Sequence, residues 1–521
     1  MEKAVSSLAI QLTDGPQRPI HPPQWSAADE EFQMKNRVYL ITYVDRLSGG
    51  GLPELRALLD GKLQGLFGGV HALPFFDPTD GADAGFDPTD HTFVDPRLGN
   101  WDDVRGLAGS VEIMADLIVN HVSAQSSWFQ DFIAKGPESE FADMFMTFGK
   151  VFPRGTSEQD LLNIYRPRPG LPFSKVALAD GSQRMLWTTF TPQQIDIDVQ
   201  SAHGSSYLET ILERFAEAKV TAIRLDAAGY AFKKAGTSCF MIDETYAFLG
   251  ELAGTARDRR REVLVEIHSY YRDQIEIARK VDRVYDFVLP PLILHSLFTG
   301  DATPLARWLE ISPRNAITVL DTHDGIRVID VGAHGDGRPG LLEPHAIDHL
   351  VEEIHRRSEG QSRLATGAAA SNLDLYQVNC TYYDALGRSD HDYLVARAIQ
   401  FFAPGIPQIY YVGLLGGTNV MESLKKTGVG RDINRHFYED REIDLALETP
   451  LVQRLSDLIR FRNTHPAFNG SFKAAIDAAG SLVLSWTVDA EFAELTVSFT
   501  QSKAIITASG CSDFTFSGEV T

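Results

Sequence analysis

Residues 221–226 read TAIRLD. A short aliphatic run closes on a carboxylate, Asp226, and Arg224 lies two positions earlier, on the same face if the run is a strand. The pattern recurs. Residues 262–268 read EVLVEIH, with Glu266 and His268 two apart, and residues 318–324 read TVLDTHD, closing on His323 and Asp324. Residues 115–123, ADLIVNHVS, bring Asn120 and His121 to the end of a similar run. When parallel strands form a closed barrel, their C-terminal ends converge on one mouth, and catalytic groups collect there. One acidic residue after a strand is also what caps the following helix. Three of them, each beside a histidine or arginine, go beyond capping.

Outward from this stretch, short β-branched or aromatic runs alternate with amphipathic helical segments. Eight runs read as strands: 38–43, 69–75, 113–120, 220–225, 263–267, 286–289, 317–321 and 408–412. The fold class they imply is α/β, a (β/α)8 TIM barrel. The spacing is uneven. Residues 119–200 form one insert, with the Gly/Pro-rich RPRPGLPF (166–173). Residues 326–387 form a second, with the small-residue run ATGAAASN (365–372). The barrel then occupies 34–118, 201–325 and 388–467. Inserts of this length on one barrel face read as active-site walls. From about residue 468 the pattern changes to alternation, as in LVLSWTV (482–488), AELTVSF (493–499) and AIITAS (504–509). Residues 468–521 therefore read as a small antiparallel β domain. Residues 1–33 read as a poorly packed extension. Their apolar stretch is short for a signal peptide and is interrupted by Asp14, Pro16 and Pro19.

The chain has 521 residues, of which 44% are hydrophobic and 23% charged, the balance of a globular protein. No apolar run approaches the ~18 residues that span a bilayer. With 48 Lys+Arg against 70 Asp+Glu, the net charge is −22, which repels nucleic acid and anionic lipid. The three cysteines, Cys239, Cys380 and Cys511, match neither a zinc site nor a disulfide framework, so a reducing, cytoplasmic location is expected. The histidines show no metal-binding spacing, so no metal is expected.

Carboxylates at one barrel mouth suit glycosidic chemistry. One carboxylate attacks or shields the cationic anomeric carbon, and a protonated carboxyl hands a proton to the leaving oxygen. Arg224 would keep Asp226 ionised as the nucleophile. The apolar surroundings of Glu266 would raise its pKa, as a general acid requires.

IRLDAAGY (223–230), LVEIHS (264–269), VLDTHDG (319–325) and ADLIVNHVS resemble the catalytic motifs of the α-amylase superfamily, glycoside hydrolase family 13. DGADAGFDPTDH (80–91), IYRPRPGLPF (164–173), TPQQIDID (191–198), AGTSCFM (235–241), ATGAAASNLDLYQVN (365–379) and GVGRDINRH (428–436) resemble its sucrose phosphorylase branch. The resemblance runs from Met34 to about residue 470. It implies reversible, retaining phosphorolysis of sucrose to α-glucose 1-phosphate and fructose. Asp226 is then the nucleophile, Glu266 the general acid and base, and Asp324 the group that grips the glucose hydroxyls. Asp83, His121, Arg224, His323 and Arg431 hold the glucosyl unit. Phe86 offers it an apolar platform, with Gln194 near the same face. Tyr230, His268, Asp374 and Gln377 shape the acceptor side. Arg168, Tyr376 and Gln377 meet phosphate, and 373–377 lie on a mobile loop. The resemblance implies no cofactor beyond phosphate as co-substrate, small-molecule partners only, and a monomer or homodimer.

Two stretches depart from that branch: LLGGTNVME (414–422), and Arg327 where the branch has glycine. Both are expected near the mouth, on the leaving-group side. Phosphorolysis of 2-O-α-glucosylglycerol, an osmolyte that suits an acidic, salt-adapted protein, is the nearest rival. Sucrose 6'-phosphate is the next, favoured by Arg327. A silent binding subunit would have lost one of the three carboxylates, and a plain hydrolase would release glucose regardless of phosphate.

Overall fold

A computed structural model describes residues 32–81, 83–167, 170–368, 377–511 and 514–517. Within them, eight parallel strands close into a barrel in chain order. They are β1 (Tyr39–Thr42), β2 (Gly69–Ala72), β3 (Glu112–Ile118), β4 (Ala222–Asp226), β5 (Glu262–Val265), β6 (Arg283–Asp286), β7 (Ala316–Thr318) and β8 (Ile406–Tyr410). The strands are buried on both faces, as expected where helices cover the outside of a parallel sheet. Gly69 opens β2 because a Cβ there would come within 2.2 Å of the Tyr39 ring.

The barrel interior is polar as well as packed. His71 on β2 meets Asp116 on β3 at 3.0 Å, and Asp116 also binds Arg224 on β4. Tyr285 on β6 donates to Gln408 on β8 at 3.2 Å. These buried groups tie five strands together below the mouth, each through a partner that offsets its desolvation.

The sixth strand differs from its expected place. Of the run expected at 286–289 only Asp286 belongs to the strand: β6 ends there, and a helix begins at Leu289 and runs to Thr299. Pro290 and Pro291 occupy its first turn, where no N–H is required. Asp286 accepts from the Val288 and Leu289 amides at 3.2 and 2.9 Å. An all-apolar segment shows no helical stripe, so periodicity alone could not place it. The strands expected at 317–321 and 408–412 also begin and end earlier, and the chain turns helical at Tyr411.

Between β3 and β4 the chain forms a hairpin, Phe173–Ala177 with Gln183–Trp187, and a ribbon, His121–Ser123 with Gln194–Asp196. Between β7 and β8, Ile326–Arg327 pairs with Gln377–Val378, and helices span Pro344–Arg357 and Gln361–Ala368. The C-terminal sheet is antiparallel, as expected, and has five strands among the described residues: β9 (Ser471–Ile476), β10 (Leu482–Val488), β11 (Glu491–Ser498), β12 (Lys503–Ala508) and β13 (Phe514–Ser517). The edge strand β9 lacks buried alternation, which hid it in the sequence. Trp486 on β10 donates to the Phe402 carbonyl at 2.8 Å and docks the sheet on the helix Asp390–Phe402. None of the described helices is long and apolar enough to cross a membrane. The expected extension lies almost wholly outside the described residues. Met34, by contrast, is buried and donates to Glu262 at 2.9 Å.

Candidate active site

Asp226 ends β4, and Ala227 follows it in the left-handed region at φ 54°. That conformation is uncommon without glycine, and such strain collects at functional sites. The turn leaves Asp226 facing a pocket at the mouth of the barrel. The same pocket is walled by Glu266 and His268 just beyond β5, by His323 and Asp324 beyond β7, and by Asp83, Phe86, His121, Tyr230, Gln377 and Arg431. Eleven of the expected site residues therefore share one cavity. Arg224 and Gln194 stand behind them. Gln194 donates to Asp83 at 2.8 Å. Arg168, Asp374 and Tyr376 lie outside the described residues.

Arg224 organises the floor. It is fully buried and bonds Asp226 at 3.0 Å through Nη1 and Glu266 at 2.7 Å through Nη2, while Nη1 also binds Asp116. His268 reaches Glu266 at 3.2 Å. One guanidinium thus serves three carboxylates, Asp116 below the mouth and Asp226 and Glu266 at it. Burial, with Glu266 and Asp116 nearby, pushes Asp226 well above the usual carboxylate range, against the pull of Arg224. Burial also acts to raise Glu266, but Arg224 and His268 outweigh it and hold Glu266 low. Both directions are the reverse of the sequence expectation, in which Arg224 kept Asp226 ionised and apolar surroundings raised Glu266.

Across the pocket, Arg431 bonds Asp324 at 2.5 Å and also binds Asp83. Burial would raise Asp324, yet His323, Arg431 and Arg327 hold it well below its usual value. His323 stacks on Phe86 with centroids 4.8 Å apart and 8° between planes, and burial lowers it to about 3. His121 donates through Nε2 to the Phe86 carbonyl at 2.9 Å, and burial lowers its pKa too. The result is a pocket with carboxyls at fixed positions, neutral imidazoles, and an apolar face on Phe86.

Glu266, His268 and Asp324 present ligand atoms within 4.8 Å of one another, a spacing a metal ion could use. Arg224 already bonds Glu266 and Arg431 already bonds Asp324, so a divalent cation there would sit against two guanidiniums.

Several site residues were not singled out from the sequence. Tyr165, Phe190 and Phe240 join Tyr230 in an aromatic wall, with Tyr165 stacked 4.6 Å from Phe240 and Phe190 edge-on 5.1 Å from Tyr230. Behind that wall, Lys233 is 1% exposed at its side chain and bonds Asp196 at 2.7 Å. It also donates to Asn120 Oδ1 and the Tyr230 carbonyl, both at 2.5 Å. One ammonium therefore joins the end of β3, the first insert and the turn after β4. Lys233→Met leaves Asp196 buried without its cation. It is expected to cost about 3–5 kcal/mol, read as a lower urea midpoint.

The alpha-amylase catalytic domain family matches residues 65–275. A sucrose phosphorylase of Agrobacterium vitis is 86% identical over 487 residues, 94% of this chain and 100% of that one. The chain belongs to the sucrose phosphorylase family. A glucosylglycerol phosphorylase of Marinobacter adhaerens, 41% identical over 87% of this chain and 92% of its own, stands further off. The crystal structure of a sucrose 6F-phosphate phosphorylase from Thermoanaerobacter thermosaccharolyticum superposes with a TM-score of 0.85. It is 38% identical and covers 93% of this chain and 98% of that one. The family fold, a TIM barrel with an antiparallel C-terminal sheet, is the one described above.

Proposed function

We propose that the protein catalyses the reversible phosphorolysis of sucrose to α-glucose 1-phosphate and fructose by double displacement. The observation that carries the reading is Arg224 holding Asp226 and Glu266 on its two terminal nitrogens. One guanidinium bridging both carboxyls sets them side by side, the arrangement of nucleophile and acid/base that a retaining double displacement uses. The 86% identity to a sucrose phosphorylase supports sucrose as the donor.

In this mechanism the glucosyl unit lies on Phe86, with its hydroxyls on Asp324, Asp83, Arg431 and His121. The glycosidic oxygen enters beside Glu266, and the anomeric carbon faces Asp226. The pair holds one proton. Sugar binding places it on Glu266, which delivers it to the fructosyl oxygen as the C1–O bond breaks and Asp226 bonds C1. A phosphate oxygen then attacks C1 from the face fructose has left. Asp226 departs, and Glu266 takes back the phosphate proton. Two inversions give the α-phosphate. Pro167 and Gln377 line the pocket, and Arg168 and Tyr376, their neighbours in sequence, are the residues proposed to meet phosphate.

With phosphate present, the rate on sucrose is expected to exceed the rates on glucosylglycerol and on sucrose 6'-phosphate by at least about tenfold, ~1.4 kcal/mol of differential transition-state binding. A side-by-side assay of the three donors checks this. Faster turnover of either competitor reassigns the leaving group, and β-glucose 1-phosphate as product rejects the double displacement. The charge of −22 keeps glucosylglycerol as the second reading. The three cysteines are free, which fits a reducing cytoplasm.

A further inference from the structure

No step of the double displacement uses Arg327, yet Arg327 lines the pocket beside Glu266, His268, Asp324 and Gln377. Its place is fixed by the backbone. Gly325 turns the chain at φ 84°, where a Cβ would come within 2.6 Å of the Val378 carbonyl. The strand Ile326–Arg327 then pairs with Gln377–Val378, setting Arg327 opposite Gln377. Gln377 in turn donates to the Asp324 carbonyl, which ties this ribbon to the catalytic loop.

The electrostatics of the cavity give this placement a purpose. Asp83, Glu266 and Asp324 face it as carboxylates, while Asp226 is a neutral ester in the glucosyl-enzyme. Its histidines supply no compensating charge, because burial lowers His121, His268 and His323 alike. Arg431 lines it too, but both of its terminal nitrogens are engaged, one by Asp324 and one by Asp83. A phosphate dianion entering such a site meets a net negative wall. In a partly desolvated pocket that repulsion is screened less than it would be in water. A guanidinium on the acceptor side, with donors in a planar fork matched to two phosphate oxygens, offsets that repulsion where it acts.

We propose that Arg327 binds the phosphate that intercepts the glucosyl-enzyme. The inference rests on the phosphorolytic reading above and adds to it a phosphate-binding residue on the second insert. Arg327 acts on the partition of the intermediate between phosphate and water.

The test is the ratio of α-glucose 1-phosphate to free glucose formed from sucrose at fixed inorganic phosphate. This ratio does not depend on how much of a variant folds. Arg327→Gly is expected to lower it by at least about tenfold, the loss of a charge-assisted contact, and Arg327→Lys to restore part of it. A ratio within twofold of wild type in Arg327→Gly overturns the inference. So does a loss confined to sucrose 6'-phosphate as donor, which would assign the guanidinium to a phosphorylated leaving group. If the wild-type protein forms no glucose 1-phosphate at all, the phosphorolytic reading fails on its own. Calorimetry with inorganic phosphate alone then still decides the residue: a Kd at least tenfold weaker in Arg327→Gly supports it, and an unchanged Kd rejects it.

Discussion

Asp226→Asn is expected to lower turnover of sucrose by roughly 10⁵-fold or more, the scale seen when a covalent nucleophile is removed, while raising the melting temperature at neutral pH. The two effects share one cause. Asp226 is buried against Glu266 and Asp116, and its carboxyl is pushed well above the usual range. A raised carboxylate pKa means that the folded protein prefers the protonated form. Its contribution to stability is complete below the unfolded pKa and is lost as pH rises through the folded value. Asparagine is neutral throughout. The variant should therefore gain most over wild type at pH 7–8, and the gain should shrink as the pH falls and Asp226 takes up its proton. Calorimetric melts of both proteins across that range, paired with an initial-rate assay, check both halves. Substantial turnover in the variant would remove Asp226 as nucleophile. A melting temperature below wild type at pH 8 would contradict the electrostatic account of the floor.

Arg224→Met is expected to abolish activity and to cost about 3–5 kcal/mol of stability, since it leaves buried carboxylates without their shared cation. Asp116 sits directly under Arg224 and is fully buried, so it bears much of the exposure. Removing both partners of a buried ion pair is far less costly than removing one. The double variant Arg224→Met/Asp116→Leu should thus recover much of the lost urea midpoint and none of the activity. If the double variant were as unstable as the single one, Asp116 would not be the group that Arg224 compensates. If it regained activity, Arg224 would not be positioning the catalytic pair.

The sequence disclosed those residues that end an aliphatic run. Asp226, Glu266 and Asp324 stand there, and their strands were found within a few residues. What lies mid-strand or beyond the strand ends was harder to see. Asp116 is flanked by Ala115 and Leu117 and looks like an interruption, although it is the inner partner of Arg224. Lys233 lies in a polar loop next to Lys234, and only the folded chain separates the buried ammonium from its exposed neighbour. The order of proton affinity between Asp226 and Glu266 was also hidden. It depends on Arg224 reaching across to a second strand and on His268 siding with Glu266, neither of which spacing can state. The sixth strand was misplaced because a buried helix and a buried strand share one composition.

The clamp at Lys233 has a practical side. Its positive charge is covalently part of the chain, so dialysis or a chelator cannot strip it, and competing ions cannot displace it. The fastening between the barrel and its first insert should hold unchanged in buffers that would empty an exchangeable site. What can release it is chemistry on the side chain itself. Acylating or carbamylating reagents would reach Lys233 only after that region opens, so slow loss of activity in cyanate would report how often the insert lifts from the barrel.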